Sequence, residues 1–259
     1  MSIISPMYSL AGLAVGILVG LTGVGGGSLM TPLLVLAFGF HPVTAVGTDL
    51  LYASATKTVG TAVHGLHGTV DWKVVGRLAT GSVPATVLTL ALLSFSGNRF
   101  EGATHIITIT LGIALILTAI SMTFRARILA YFATRLDTVP PARVARLTII
   151  LGAVLGVLVS LSSVGAGAIG MTALLVLYPK LPVNRLVGSD IAHAVPLTFI
   201  AGAAHWVFGS VDLGLLLSLL LGSIPGIIIG SLISTRVSER ALRPILAATL
   251  AIVGGKLLF

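Results

Sequence analysis

The stretch Thr22-Gly23-Val24-Gly25-Gly26-Gly27-Ser28-Leu29-Met30-Thr31-Pro32 decides how the chain is read. It lies between two apolar runs, and a second version follows at Ser162-Ser163-Val164-Gly165-Ala166-Gly167-Ala168-Ile169-Gly170. Each glycine costs a helix about 1 kcal/mol relative to alanine. A cluster of them inside apolar sequence therefore breaks the helix and leaves backbone N–H groups without partners. In hydrocarbon such groups are tolerated only where protein buries them or where they line a cavity. The two stretches are expected to form two facing backbone cups for one small anion.

The surrounding composition sets the class. Apolar residues make up 56% of the 259 and charged residues 8%, with a mean hydropathy of +1.12, whereas soluble domains are about 25% charged. Several apolar stretches approach the roughly 20 residues a bilayer-crossing helix needs, and the alternating segments of an outer-membrane barrel are missing. An all-α polytopic membrane protein is expected. The absence of cysteine excludes disulfides and thiolate metal sites and leaves the redox compartment open. No metal or cofactor is expected, and without a Walker motif an ATP-driven pump made by this chain alone is disfavoured. Met1 to Val19 lacks Lys and Arg, which makes it a poor signal peptide and a better first membrane segment.

Ten apolar segments run approximately over 4–23, 27–39, 44–65, 72–96, 103–124, 146–164, 166–179, 184–206, 212–235 and 241–258. The second and seventh are short for a core of about 30 Å, and each follows a glycine stretch. With the N-terminus outside, the cytoplasmic loops receive Lys73, Arg77, Arg125, Arg127, Arg135, Arg143, Arg146, Lys180, Arg185, Arg236, Arg240 and Arg243. The other side receives only Arg99 and Lys256. This asymmetry fixes the expected orientation and accounts for the net charge of +8 without nucleic acid. The parity holds whether the short segments cross the bilayer or form half-membrane hairpins with their predecessors, and both arrangements stay open.

The two halves are related. At an offset of 140, Gly16, Val19, Val24, Gly25 and Gly27 match Gly156, Val159, Val164, Gly165 and Gly167. At 141, Gly47, Asp49, His64, Gly68, Val70 and Asp71 match Gly188, Asp190, His205, Gly209, Val211 and Asp212, and Gly81, Ser82 and Pro84 match Gly222, Ser223 and Pro225. Five segments per half is an odd number, so the second half enters the membrane inverted. Residues 1–124 form one repeat, 125–145 a basic cytoplasmic linker and 146–259 the inverted repeat. Inverted repeats with paired broken helices are a signature of secondary transporters, whose sites lie near mid-membrane between the repeats.

Gly23-Val24-Gly25-Gly26-Gly27 with Pro32 after it, Ala45-Val46-Gly47-Thr48, Val187-Gly188-Ser189-Asp190 and the Gly-Ser-x-Pro steps of segments four and nine resemble the TauE/SafE sulfite exporter family. The resemblance covers nearly the whole chain. It implies a multi-span carrier of the prokaryotic inner membrane for sulfite, organosulfonates or related small anions, working as an exporter. The second cup departs from the first, with Ala166 in place of Gly26 and no proline at the position of Pro32.

Candidate substrate-binding groups are the backbones of Gly25, Gly26, Gly27, Gly165 and Gly167, and the hydroxyls of Thr22, Ser28, Thr48, Ser162, Ser163 and Ser189. Amides at a broken helix start favour anions. For the glycines spaced by four, such as Gly12, Gly16 and Gly20, close helix packing is the better account. Lys57 lies within the third segment, where embedded charge is costly and suggests function. It offers either an ion pair to Asp49 or Asp190 or a positive charge to the substrate, and its repeat position holds Thr198. Asp49 and Asp190 are candidates for proton coupling, with helix capping as the alternative. His64 and His205 are candidate gates or packing residues on opposite sides, and His193 is a candidate partner of Asp190 in a proton path. Proton coupling is preferred over sodium, which backbone carbonyls can bind without a motif. The alternatives in other classes are a passive anion channel and an intramembrane phosphatase-type enzyme. A homodimer is compatible with the sequence.

Overall fold

Proline and glycine set the limits of the helices. The computed structural model describes residues 4–22, 27–95, 101–133, 139–233 and 239–258, and all regular structure among them is helical. Helices α1 (Pro6–Thr22) and α2 (Gly27–Pro32) flank the first glycine stretch. Pro32 has no amide to donate. The chain widens after it into a π-helical turn, Leu33–Ala37, in which the Phe38 N–H donates to Leu33 O at 3.2 Å. There follow α3 (Pro42–Leu66), α4 (Trp72–Phe95), α5 (Glu101–Ala133), α6 (Pro141–Ser162), α7 (Ala168–Leu177), α8 (Val183–Val207), α9 (Leu213–Ile233) and α10 (Glu239–Leu258).

Equivalent helices end and begin by the same devices. Gly68 and Gly209 take positive φ of 63° and 75° after α3 and α8. In each case the next amide reaches back into the helix, Thr69 N–H to His64 O at 3.0 Å and Ser210 N–H to His205 O at 2.9 Å. Asp71 Oδ1 then accepts from the amide of Lys73 at 3.1 Å, and Asp212 Oδ1 from that of Leu215 at 2.9 Å, so both aspartates cap the helices that follow.

Five helices, Trp72–Phe95, Thr104–Phe132, Pro141–Ser162, Val183–Val207 and Leu213–Gly230, are long and apolar enough to cross a membrane. Shorter apolar helices cover Pro6–Gly20, Ser28–Ala37, Ala168–Leu177 and Leu246–Leu258. Leu88, Leu92, Leu232 and Ile252 are each more than half exposed. On a soluble protein such a belt would aggregate, but on this one it is the surface that faces lipid.

The helices pair as α1 with α9, α4 with α6, α3 with α8 and α5 with α10. Beside these, α4 touches α8, α3 touches α9, α5 touches α7 and α10 touches α2. Exchanging α1–α5 for α6–α10 converts this set of contacts into itself. Within it, α1 runs parallel to α9 with backbones in contact: a β-carbon at Gly12 would fall on Leu219 O, and one at Gly222 on Ser9 O. The equivalent α4–α6 pair has Gly152 against Leu78 O and Gly81 against Ile149 O. The glycines spaced by four are thus packing residues, as small residues are between membrane helices. By contrast α3 and α8 run antiparallel, Gly47 meeting His205, Gly202 meeting Leu51 and Gly60 meeting Ile191.

Candidate functional site

The crossing of α3 and α8 brings buried charges together. Asp49 on α3 is wholly buried, and its Oδ2 accepts a hydrogen bond from Thr31 Oγ1 of α2 at 2.5 Å. It also faces Ser163 and Lys57. Lys57, two turns further along α3, faces Asp190 of α8 as well as Asp49. Among the described residues neither carboxylate comes within ion-pair distance of it. One oxygen on each side, Asp49 Oδ1 and Asp190 Oδ1, is buried with no hydrogen bond among the described residues. A buried polar group left unpaired costs about 1–3 kcal/mol, so these two oxygens mark a strained point of the crossing.

Neighbouring helices close the cluster. His193, one turn after Asp190, has Nε2 2.9 Å from Ser82 Oγ of α4, while its Nδ1 is buried without a partner. At the offset of 141, Tyr52 is the counterpart of His193 and Ser223 of Ser82. Ser223 Oγ is 2.9 Å from Thr56 Oγ1, and the buried Tyr52 hydroxyl makes no hydrogen bond among the described residues. Asp190 Oδ1 also lies against α7, where a β-carbon at Gly170 would come within 2.9 Å of it. Every side chain named in this cluster is more than nine-tenths buried.

Beside the cluster runs the break between α6 and α7. Ser163 takes a left-handed φ of 58° and Gly165 a φ of 122°, the second accessible only to glycine. Ser162 is turned to its own backbone, donating to Leu158 O at 2.6 Å and accepting from the Val164 amide at 3.1 Å. From Gly165 to Ile169, through Gly167, no amide donates to a described residue, and helical bonding resumes with Gly170 and Met171. The interruption expected at the second stretch is present, with these amides donating to no described residue and Ser163 immediately before it. Of the first, Gly25 and Gly26 lie outside the described residues, as does the side chain of Thr22. Gly27 opens α2 and Ser28 is buried behind it.

Other expected site residues are placed elsewhere. Thr48 Oγ1 accepts the amide of Asp212 at 3.1 Å, and Ser189 Oγ accepts that of Asp71 at 2.8 Å while donating to Arg185 O at 2.6 Å. Each hydroxyl ties the start of one long helix to the start of a helix from the other half. His64 is half-buried with Nδ1 2.9 Å from Thr69 Oγ1. His205 is buried with Nε2 3.0 Å from Ser160 O. The antiparallel pairing puts these two histidines at opposite ends, so neither meets the other. Thr31, Tyr52, Thr56, Ser82 and Ser223 join the cluster without having been singled out. A signal existed for two of them, since Ser82 and Ser223 align in the repeat. Thr31 aligns with Thr172 in a shared Met-Thr step, but Thr172 turns away, accepting from Ser121 Oγ of α5 at 2.9 Å.

Comparison with known proteins gives this arrangement its family. A probable membrane transporter protein of Bacillus subtilis, YjnA, is 42% identical over 204 residues, covering 78% of this chain and 80% of the relative. A probable membrane transporter protein of Methanocaldococcus jannaschii is 27% identical over 216 residues, covering 80% and 74%. No solved structure matches the chain. The model of the family described as sulfite exporter TauE/SafE matches residues 8–257, so this helical chain is a membrane transporter belonging to that family.

Proposed function

We propose that the protein is a secondary carrier that exports small sulfur-containing anions, sulfite or organosulfonates, across the prokaryotic inner membrane by alternating access. The observation that carries this reading is the enclosed group of Lys57, Asp49 and Asp190 beside the open amides of Gly165–Ile169. A cation and a row of N–H donors suit an oxyanion. The two carboxylates set a condition on its entry. With both ionised and Lys57 charged, the cluster carries one net negative charge, and an anion would add a second in a medium that screens poorly. A proton on one aspartate removes the conflict, so anion and proton enter together. That pair is electroneutral, and export follows when the cell accumulates the anion.

The halves 1–124 and 146–259 then act as inverted repeats joined in the cytoplasm by the basic stretch 125–145, into which α5 and α6 extend, with both termini outside. Support comes from the antiparallel run of the equivalent helices α3 and α8 and from the main helix pairings, which the exchange of halves maps onto themselves. The test is transport by the purified protein in liposomes, using radiolabelled sulfite, an organosulfonate and a carboxylate, with and without a pH gradient. Saturable uptake with counterflow of the sulfur oxyanions is expected. Uptake that neither saturates nor supports counterflow would indicate a channel, and no flux from folded protein would remove the proposal.

A further inference from the structure

Outside the central cluster, a cavity of about 230 Å³ opens at the helix ends that carry the basic loops. Arg77 of α4 and Lys180 of the α7–α8 loop supply its charge, and Pro141, Val144, Leu177 and Leu181 supply apolar walls. Arg77 is held in place by a chain of hydrogen bonds with one consistent direction. Its guanidinium donates to the Tyr178 hydroxyl at 3.1 Å, which bonds Thr148 Oγ1 at 2.8 Å, which donates to Val144 O at 2.8 Å. Because the threonine proton goes to Val144, the Tyr178 proton goes to the threonine, and Tyr178 accepts from Arg77. One of the five guanidinium N–H donors is thereby committed, and the tethered side chain lines the cavity. Arg185, the next cation along, does not line the cavity and is paired with Asp71 at 3.4 Å.

The surface beside the cavity is built for lipid. On α6, Arg143 and Arg146 head an exposed stripe continued by Ile150, Val154 and Val157 at helical spacing. On α4, exposed Lys73 heads a stripe continued by Val87, Leu88 and Leu92. Charge at one end of an apolar stripe places the cavity at headgroup depth, where basic side chains meet anionic lipid and basic pockets between helices hold lipid phosphates.

We propose that this cavity binds the phosphodiester headgroup of an anionic phospholipid, with Arg77 and Lys180 on the phosphate and the glycerol against Val144 and Leu181. The site is independent of the transported substrate. The test uses the full chain in a neutral detergent, titrated with phosphatidylglycerol, phosphatidylcholine or glycerol 3-phosphate. Retained adducts are read by native mass spectrometry and thermal stability by intrinsic fluorescence. Phosphatidylglycerol is expected to remain bound and raise the melting temperature, and phosphatidylcholine to do neither. In Arg77→Gln with Lys180→Gln, retention should fall at least about tenfold, as loss of a charge-assisted contact of about 1.5 kcal/mol requires. Lys256→Gln, whose parent lysine lies in the last turn of α10, should bind as the wild type. Should the double variant misfold, Lys180→Gln alone, an exposed loop change, must still weaken retention. Equal retention of both lipids, unchanged retention in the variants, or displacement of the lipid by equimolar glycerol 3-phosphate would each overturn the proposal, the last by assigning the site to a soluble phosphate.

Discussion

Lys57 is the residue at which the two halves differ most in chemistry, since its counterpart Thr198 donates to Ala194 O at 2.8 Å in ordinary helical fashion. One cation therefore serves two carboxylates that the repeat has duplicated. Replacing it with Met should leave both aspartates without a counter-charge and weaken binding of a sulfur oxyanion by about 10- to 150-fold, the worth of a hydrogen bond to a charged group of about 1.5–3 kcal/mol. Lys57→Arg should recover part of the affinity, measured as the concentration giving half-maximal counterflow. A Met variant that binds as the wild type would place the anion elsewhere. Gly170 gives a second prediction at this scale. A β-carbon there meets Asp190 Oδ1 at 2.9 Å, so Gly170→Ala should displace the carboxylate and impair transport. Gly76→Ala on α4, whose β-carbon meets nothing within 4 Å, should transport normally. Equal activity of the two alanine variants would mean that the position of Asp190 does not matter to the cycle.

Among the helices, the contacts most suited to change during a cycle are the crossed hydroxyls, Thr48 on the start of α9 and Ser189 on the start of α4. They are equivalent in the repeat and lie at opposite ends of the antiparallel α3–α8 pair, so opening one end breaks one clasp and leaves the other. Thr48→Val should raise labelling of a cysteine placed at Val211, and Ser189→Ala that of one placed at Val70, each measured with a maleimide on a chain that has no cysteine of its own. If each substitution exposed both reporters equally, the clasps would be general packing and not separate gates. The existence of these elements was legible beforehand, but not all their limits: α5 runs on to Ala133 and α6 starts at Pro141, both inside the stretch 125–145 read as linker. The charged cluster was legible in part, since Asp49, Lys57 and Asp190 stand out in apolar sequence. Thr31, Tyr52 and Thr56 were not, because a hydroxyl in a membrane helix usually bonds its own backbone. Only the crossing of α3 with α8 and the docking of α2 turn these three inward. Thr48 and Ser189 show the converse: adjacency to the aspartates suggested shared chemistry, but neighbouring residues on a helix point about 100° apart.

For the molecule as a whole, the arrangement makes transport a question of charge balance across a barrier. Burying an unpaired ion costs several kcal/mol even after relaxation, and Asp49, Lys57 and Asp190 in the enclosed cluster form no ion pair among the described residues. Loading an anion together with a proton on Asp190 leaves Lys57 facing the anion and Asp49 held by Thr31, with one net negative charge before loading and one after it. Uptake into liposomes should therefore rise when the outer solution is made acidic relative to the lumen. Asp190→Asn imitates the protonated state permanently, so the variant should bind the anion, support anion–anion counterflow, and lose the response to the pH gradient. Asp49→Ala removes the acceptor of the bond from Thr31 Oγ1 and should disturb the docking of α2, which separates a structural loss from a coupling loss by its lower melting temperature. A variant of Asp190 that kept the full gradient response would move the proton to another group, and His193, with its unpartnered Nδ1 one turn away, is the group to replace next.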